Sequence, residues 1–438
     1  MEDSNTYQRI SRLVNEVKII DTHEHLIPET ERVSKHVDIF ETFLSHYASS
    51  DLVSSGMTQE ELSKIRDTNL PLEKRFIIFK PFWDKIQNTG YARAINIAVK
   101  DLYGFDGIEE DTIKKLALKM NDVNKQGLYK WIMKEKSGIE VAILDSLNPV
   151  EKLDVELFVP VARFDNFVTV TTKTEIEALG KTYGKPIHSF SDLIKVLEEA
   201  FERASGATVG VKVSLAYMRD LHFNKVSERE AEEIFLNIYN QRSGMPGSVS
   251  FNEARPYQDF MLHKIIQLAA RKELPVQIHT GLQEGNENVI TNSNPTLLVN
   301  LFREYREVKF DIFHGSYPYT GELAVLAKNF PNVYIDMCWL HVISPFWARQ
   351  ALADWLDLVP CNKILGFGGD YLFVEGVYGH SVIARQNILR VIKEKVEEGA
   401  FTESQAIQLA QRLLRDNALE LFFGNRNSPE RVSSYVHK

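Results

Sequence analysis

The chain has 438 residues, 44% of them apolar and 25% charged, which is the balance of a globular protein with a sizeable core. A formal net charge of −9 argues against a nucleic-acid binder or a protein held on anionic membranes by charge. The first residues are polar, no run approaches the roughly 20 apolar residues of a membrane span, and Cys338 and Cys361 form no Cys-x-x-Cys motif, so a cytoplasmic protein with free thiols is expected.

A leading helix over Arg9 to Val17 precedes the first strand, which is apolar through Ile20 and ends in Asp21-Thr22-His23-Glu24-His25. In a strand, residues i and i+2 share a face, so His23 and His25 point to one place, a natural start for a metal site. On its own such a pair is a weak signal. From Pro28 to about Lys136 the pattern is helical, with Phe40, Phe43, Tyr47, Phe76, Phe79, Phe82, Trp83 and Tyr91 scattered through it. That is too long for a strand-to-helix loop. It reads as an inserted helical segment, a lid or wall above the site, whose aromatics are mainly core.

Strand two is expected at Glu140 to Leu144 and strand three at Leu157 to Ala162, with Arg163 just beyond. An amphipathic helix runs from Phe190 to Arg203. Strand four, Val209 to Leu215, carries Lys212, with Tyr217 and Arg219 shortly after it. Helices at Ser227 to Tyr239 and Tyr257 to Ala270 flank a Gly/Pro/Ser-rich loop at Ser243 to Ser250. Strand five ends at His279, strand six at His314, strand seven spans Asn332 to Asp336 ahead of Trp339, and strand eight, Ile364 to Phe367, leads into Gly368-Gly369-Asp370. Helices from Ser381 to Glu397 and Thr402 to Phe422 close the chain. Strands alternating with helices predict parallel βαβ units and an α/β fold, a (β/α)8 TIM barrel. Residues 1–438 read as a single barrel domain, with a helical insertion at about 28–136, after strand one, over the barrel mouth.

Taken in order, the strand ends offer His-x-His, Lys, His, His and Asp. That series resembles the amidohydrolase superfamily, from Ile19 to roughly Tyr371. The stretches Thr89 to Arg93, Lys212 to Tyr217, His279 to Gly281 and His314 to Tyr319 are similar to a branch with uronate isomerases and the amidohydrolase domains fused to glutamine synthetase. The resemblance implies metal ligation by His23, His25, His279 and Asp370. It also implies that Lys212 can carry CO2 as a carbamate and bridge two metals. Imidazoles and a carboxylate suit a divalent metal, Zn2+ first, with Mn2+ and Fe2+ as alternatives. One ion is favoured over two, because an unmodified ammonium repels a dication.

Asp370 is placed to take the proton of an attacking water, and Gly368 and Gly369 to let the backbone approach closely. His314 is expected to hydrogen-bond the substrate carbonyl, with second-metal ligand and packed core as its other readings. Arg163, Arg219 and Arg93 offer planar forks for an acidic group, against the bland alternative of surface salt bridges. Tyr217 and Trp339 are expected pocket walls, while His222, His341 and His380 are more often structural or surface residues. No phosphate-binding loop and no nucleophile elbow occurs. The expected activity is metal-dependent hydrolysis of an amide, lactone or ester carbonyl in a small, acidic substrate. Isomerisation of a uronate-type sugar acid, nonoxidative decarboxylation and a metal-binding scaffold without turnover are the alternatives. The expected partner is a small-molecule substrate; homo-oligomers are common among soluble barrel enzymes, and the sequence shows no interface for one.

Overall fold

The computed structural model describes residues 2–146, 153–240 and 249–424; most of the expected loop at Ser243 to Ser250 lies outside them. The chain divides into two compact units, one of residues 1–159, 282–289 and 335–438, the other of residues 160–281 and 290–334. No helix among the described residues is long and apolar enough to cross a membrane.

In the first unit a helix, Glu2–Glu16, leads into β1 (Ile19–Glu24), whose residues are all buried although four of the six are polar. Burial of that kind demands partners for each polar group. On one edge β1 runs parallel to β2 (Ile139–Leu144), with Ile19 opposite Ile139 and Glu24 opposite Leu144. Beyond β2 lies β3 (Phe158–Pro160).

The other edge of β1 is taken by the stretch 367–371: Thr22 N donates to Phe367 O, Asp370 N to His23 O and His25 N to Tyr371 O, at 3.1, 2.8 and 3.1 Å. The buried acids of β1 are held there too, Asp21 Oδ1 by Gly369 N at 3.0 Å and Glu24 Oε2 by Tyr371 N at 2.9 Å. A Cβ on Gly369 would collide with the Glu24 carboxylate, and one on Gly368 with Thr22 and Cys338. The close approach expected of these glycines is therefore real, and its partner is the neighbouring strand.

The insertion lies wholly in this unit. Its helices run Glu29–Val33, Ile39–Phe43, Ala48–Ser54, Gln59–Arg66, Leu72–Ile86, Gly90–Tyr103 and Ile113–Val123. Asp38 caps the second through the Phe40 and Glu41 amides, and Thr58 and Glu61 form a reciprocal capping box on the fourth. Phe40, Phe43, Phe76, Phe79 and Trp83 are its core, with Phe79 and Trp83 stacked at 5.2 Å. The buried Glu375 accepts from Arg32 Nη2 at 2.6 Å and from Tyr103 OH at 2.8 Å, tying the insertion to the helix Val374–Glu397.

That helix starts seven residues ahead of the expected Ser381. Gly376 and Gly379 lower its local propensity and mask its first turns in the sequence. Gly379 is needed there because a Cβ would strike the Ala94 carbonyl of the helix Gly90–Tyr103. The expected helix Thr402 to Phe422 is split into Glu403–Gln411 and Asn417–Phe422 by a π-turn, where the Leu413 carbonyl accepts from Gly366 N at 2.7 Å. Gly366 follows β9 (Ile364–Leu365), which pairs in parallel with β8 (Val333–Asp336).

The second unit holds four short parallel strands, β4 (Ala162–Arg163), β5 (Val211–Val213), β6 (Val276–Ile278) and β7 (Phe310–Ile312). Arg163 pairs with Lys212, Lys212 with Gln277 and Gln277 with Asp311 across them. Helices Lys173–Tyr183, Phe190–Ser205, Glu228–Tyr239, Arg255–Arg271 and Thr320–Asn329 fall between or after these strands. The single strand expected over Leu157 to Ala162 is broken into β3 and β4 around Pro160, which has no N–H to give to a ladder.

Candidate metal centre

In the first unit, three residues that the sequence singles out come together. His23 and His25 leave the end of β1 with their Nε2 atoms 3.2 Å apart. Asp370 Oδ1 lies 3.2 Å from His25 Nε2 and 3.6 Å from His23 Nε2. His25 Nδ1 sits 2.7 Å from the Asp145 main-chain oxygen, which can only accept, so Nδ1 carries the hydrogen and a neutral His25 turns its Nε2 lone pair toward the other two donors. Two ring nitrogens and a carboxylate oxygen facing one point, nearly all of it buried, fit a divalent cation. Burial pulls the His25 pKa down, but Asp370 and then Asp145 outweigh it and raise it on balance, so the site favours positive charge between the ring and the carboxylates.

Asp145, directly after β2, belongs to this group and the sequence reading passed over it. Its carboxylate is 3.9 Å from His23 Nε2 and 3.9 Å from His25 Nδ1, and His23, His25 and Asp145 together form a group that could hold a metal ion. Its signal was the one that found the others, an apolar strand ending in a ligand-type residue. Behind the histidines, burial pushes Asp21 up to about 7 and Glu24 well above the carboxylate range, each further raised by a neighbouring carboxylate.

Tyr47 is one of the insertion's aromatics that the sequence pattern places mainly in the core. Its hydroxyl donates to the Asp370 carbonyl at 2.5 Å and its ring stacks on Trp339, with centroids 4.4 Å apart. Trp339 is buried in the same unit. Nearby, burial raises the carboxyls of Asp51 and Glu284 and lowers His46 to about 4, leaving that imidazole neutral at pH 7.

In the second unit His279 follows β6 and His314 follows β7. The ring atoms His314 Nε2 and His279 Nδ1 are 3.0 Å apart, and Tyr217 lies against His279 with centroids 4.7 Å apart. Lys212 is buried on β5, its Nζ 3.4 Å from the centre of the Phe313 ring.

The family models and relatives agree on one ancestry. An amidohydrolase family model matches residues 236–424, and a glucuronate isomerase family model matches residues 68–295, slightly over half of the chain. The chain belongs to the amidohydrolase superfamily, in its glucuronate isomerase branch. It is 30% identical to protein fluG of Emericella nidulans over 337 residues, 70% of this chain but only 38% of that protein. It is 22% identical to a uronate isomerase of Thermotoga petrophila over 460 residues, covering 94% of this chain and 97% of that one. The crystal structure of the Thermotoga maritima uronate isomerase superposes with a TM-score of 0.76 at 17% identity, covering 95% of this chain and 97% of the other. The fold is thus the α/β (β/α)8 barrel of the amidohydrolases, in accord with the parallel strands and intervening helices.

The superfamily's metal dependence agrees with the donor set at His23, His25 and Asp370. Other residues singled out in the sequence are committed elsewhere. Arg219 is buried, ion-paired with Asp259 at 2.7 Å, and donates to Gln258 Oε1 and to the Asp220 and His222 carbonyls, so the substrate-gripping role expected of it gives way to one in the fold. Arg163 pairs with Asp165 at 3.2 Å and keeps about a third of its side chain exposed. Arg93 donates to Gln386 on the surface. His341 and His380 are buried against the Gly366 and Gly369 carbonyls at 3.0 and 3.1 Å, and His222 lies at the surface beside Asn224.

Proposed function

We propose that this amidohydrolase is a hydrolase that uses a divalent metal, Zn2+ first, to open the carbonyl of an amide, lactone or ester in a small substrate. The observation that carries the reading is the convergence of His23 Nε2, His25 Nε2 and Asp370 Oδ1 within 3.6 Å of one another. A divalent cation held by these residues supplies Lewis acidity, which polarises a carbonyl and makes water a nucleophile near neutral pH. Asp370, whose Oδ1 lies between the two histidines, acts as the base that takes the proton of the attacking water. The Asp145 carbonyl holds the His25 ring in the tautomer that ligation needs. His279, His314 and Lys212 keep the roles that the superfamily's ligand order implies for them, and Arg163 is the cation proposed for an acidic group on the substrate.

Isomerisation of a uronate-type sugar acid is the second reading, favoured by the glucuronate isomerase model over residues 68–295 and by likeness to uronate isomerases along nearly the whole chain. Two measurements decide. Elemental analysis should find about one ion per chain, lost in the His23→Ala/His25→Ala variant. The metal-loaded protein should then hydrolyse members of an amide, lactone and ester panel while leaving glucuronate and galacturonate unchanged by NMR. Turnover of a uronate with no hydrolysis would replace the first reading by the second. Absence of metal after zinc or manganese reconstitution would overturn both.

A further inference from the structure

Asp370 and Trp339 are non-glycine residues held at φ +60° and +62°, in the left-handed region that side chains disfavour. Such conformations persist only where the surroundings over-determine them. Around Asp370 the bonds are visible. Its amide donates to the His23 carbonyl at 2.8 Å, and the amides on either side go to Asp21 and Glu24 at 3.0 and 2.9 Å. All three anchors belong to β1. The Asp370 carbonyl, in contrast, receives the Tyr47 hydroxyl at 2.5 Å, and Tyr47 belongs to the helical insertion.

Tyr47 is itself held. It is 2% exposed, nearly parallel to Trp339 at 4.4 Å and to Tyr91 at 5.0 Å, and edge-on to Tyr371 at 5.4 Å. Trp339, the second left-handed residue, donates its amide to the Gly368 carbonyl at 3.0 Å, two residues before Asp370. The aromatic cluster therefore touches both strained positions. One of its members stands immediately ahead of the helix Ala48–Ser54, and Tyr91 lies in the first turn of Gly90–Tyr103.

We propose that Tyr47 is the positioning residue of the metal centre: its hydroxyl lets the insertion hold Asp370 in the left-handed conformation that aims the carboxylate at His23 and His25. The inference rests on the metal reading above and deepens it. It gives the insertion a role beyond walling the site, because any movement of the segment bearing Tyr47 alters the orientation of a ligand. Tyr47 acts on the metal centre through Asp370.

The test is Tyr47→Phe, which removes one oxygen and keeps the ring in its stack. Zinc affinity by chelator competition should fall about ten-fold, the range seen when a group orienting a metal ligand is lost. The visible spectrum of the cobalt-substituted protein should shift, since it reports ligand geometry and not stability. The far-UV circular dichroism should match wild type. Wild-type zinc affinity and an unshifted cobalt spectrum in the variant would overturn the proposal while leaving the metal reading intact. A lowered melting temperature with both metal readouts unchanged would do the same, because it would assign Tyr47 to packing alone. Wild-type protein that binds neither zinc nor cobalt would overturn the parent reading and this one with it.

Discussion

The His25 imidazole gives its Nδ1 hydrogen to the main-chain oxygen of Asp145 across 2.7 Å. A strand-end backbone thus orients a ligand ring, and the side chain of the same residue places a buried carboxylate 3.9 Å from His23 Nε2. Removing that carboxylate leaves the backbone bond but strips negative charge from beside the ligands. Asp145→Ala should weaken metal binding by about 10- to 100-fold, measured by chelator competition. Unaltered affinity would take Asp145 out of the site.

A second prediction concerns the packing of the stretch 367–371 against β1. A methyl on Gly369 would enter the space of the Glu24 carboxylate, which is buried and hydrogen-bonded, so the backbone must move instead. Gly369→Ala should cost about 1–3 kcal/mol in urea unfolding, the range for overpacking a tight interior. Because Asp370 is the next residue, metal content should fall as well. A variant with wild-type stability and metal content would mean that Glu24 has room to turn away.

The anchor between the insertion and the helix Val374–Glu397 is an ion pair in which Glu375 is fully buried. Taking away Arg32 leaves a buried carboxylate with only the Tyr103 hydroxyl at the same oxygen. Arg32→Met should cost about 3–5 kcal/mol, and adding Glu375→Met should recover most of it, because the pair is worth less than the penalty of breaking it. A double variant no more stable than Arg32→Met would show that shape, not charge, fails in the single one.

The parts of the site legible in the sequence are those set by local rules. An apolar run that stops at His, Lys or Asp marks a strand end, and the alternation of i and i+2 tells which side chains share a face. His23, His25 and Asp370 come from that rule, and so does Asp145, once the end of β2 is weighed like the others. Tyr47 could not be found this way. Its bond to Asp370 spans 323 positions, and the helical pattern around it carries no register relative to the barrel. The helix start at Val374 was hidden for a different reason: glycines that tertiary packing requires look locally like breakers. Arg219 shows the converse error, since a planar cation after a strand end looks the same whether it meets substrate or a buried Asp259.

The last prediction follows from two buried imidazoles. His341 donates from Nε2 to the Gly366 carbonyl at 3.0 Å and faces the Asn387 amide at 3.3 Å from Nδ1, while His380 donates from Nδ1 to the Gly369 carbonyl at 3.1 Å. Burial lowers them to about 4 and about 3, from an ordinary value of 6.5. The unfolded chain therefore binds protons that the folded chain refuses once the pH drops below about 6.5. Their stabilisation is whole above that value and is lost as the pH falls toward the folded pKa, by about 1.4 kcal/mol per pH unit for each ring. Asp21 and Glu24, with folded values raised, act with the opposite sign over the same range and partly mask the loss. A difference between variants removes the masking. His341→Gln keeps one donor and one acceptor but cannot be protonated, so between pH 7 and pH 5 it should lose about 2 kcal/mol less stability than wild type in urea unfolding. Equal losses would mean that His341 takes up its proton inside the fold, and that burial does not keep it neutral.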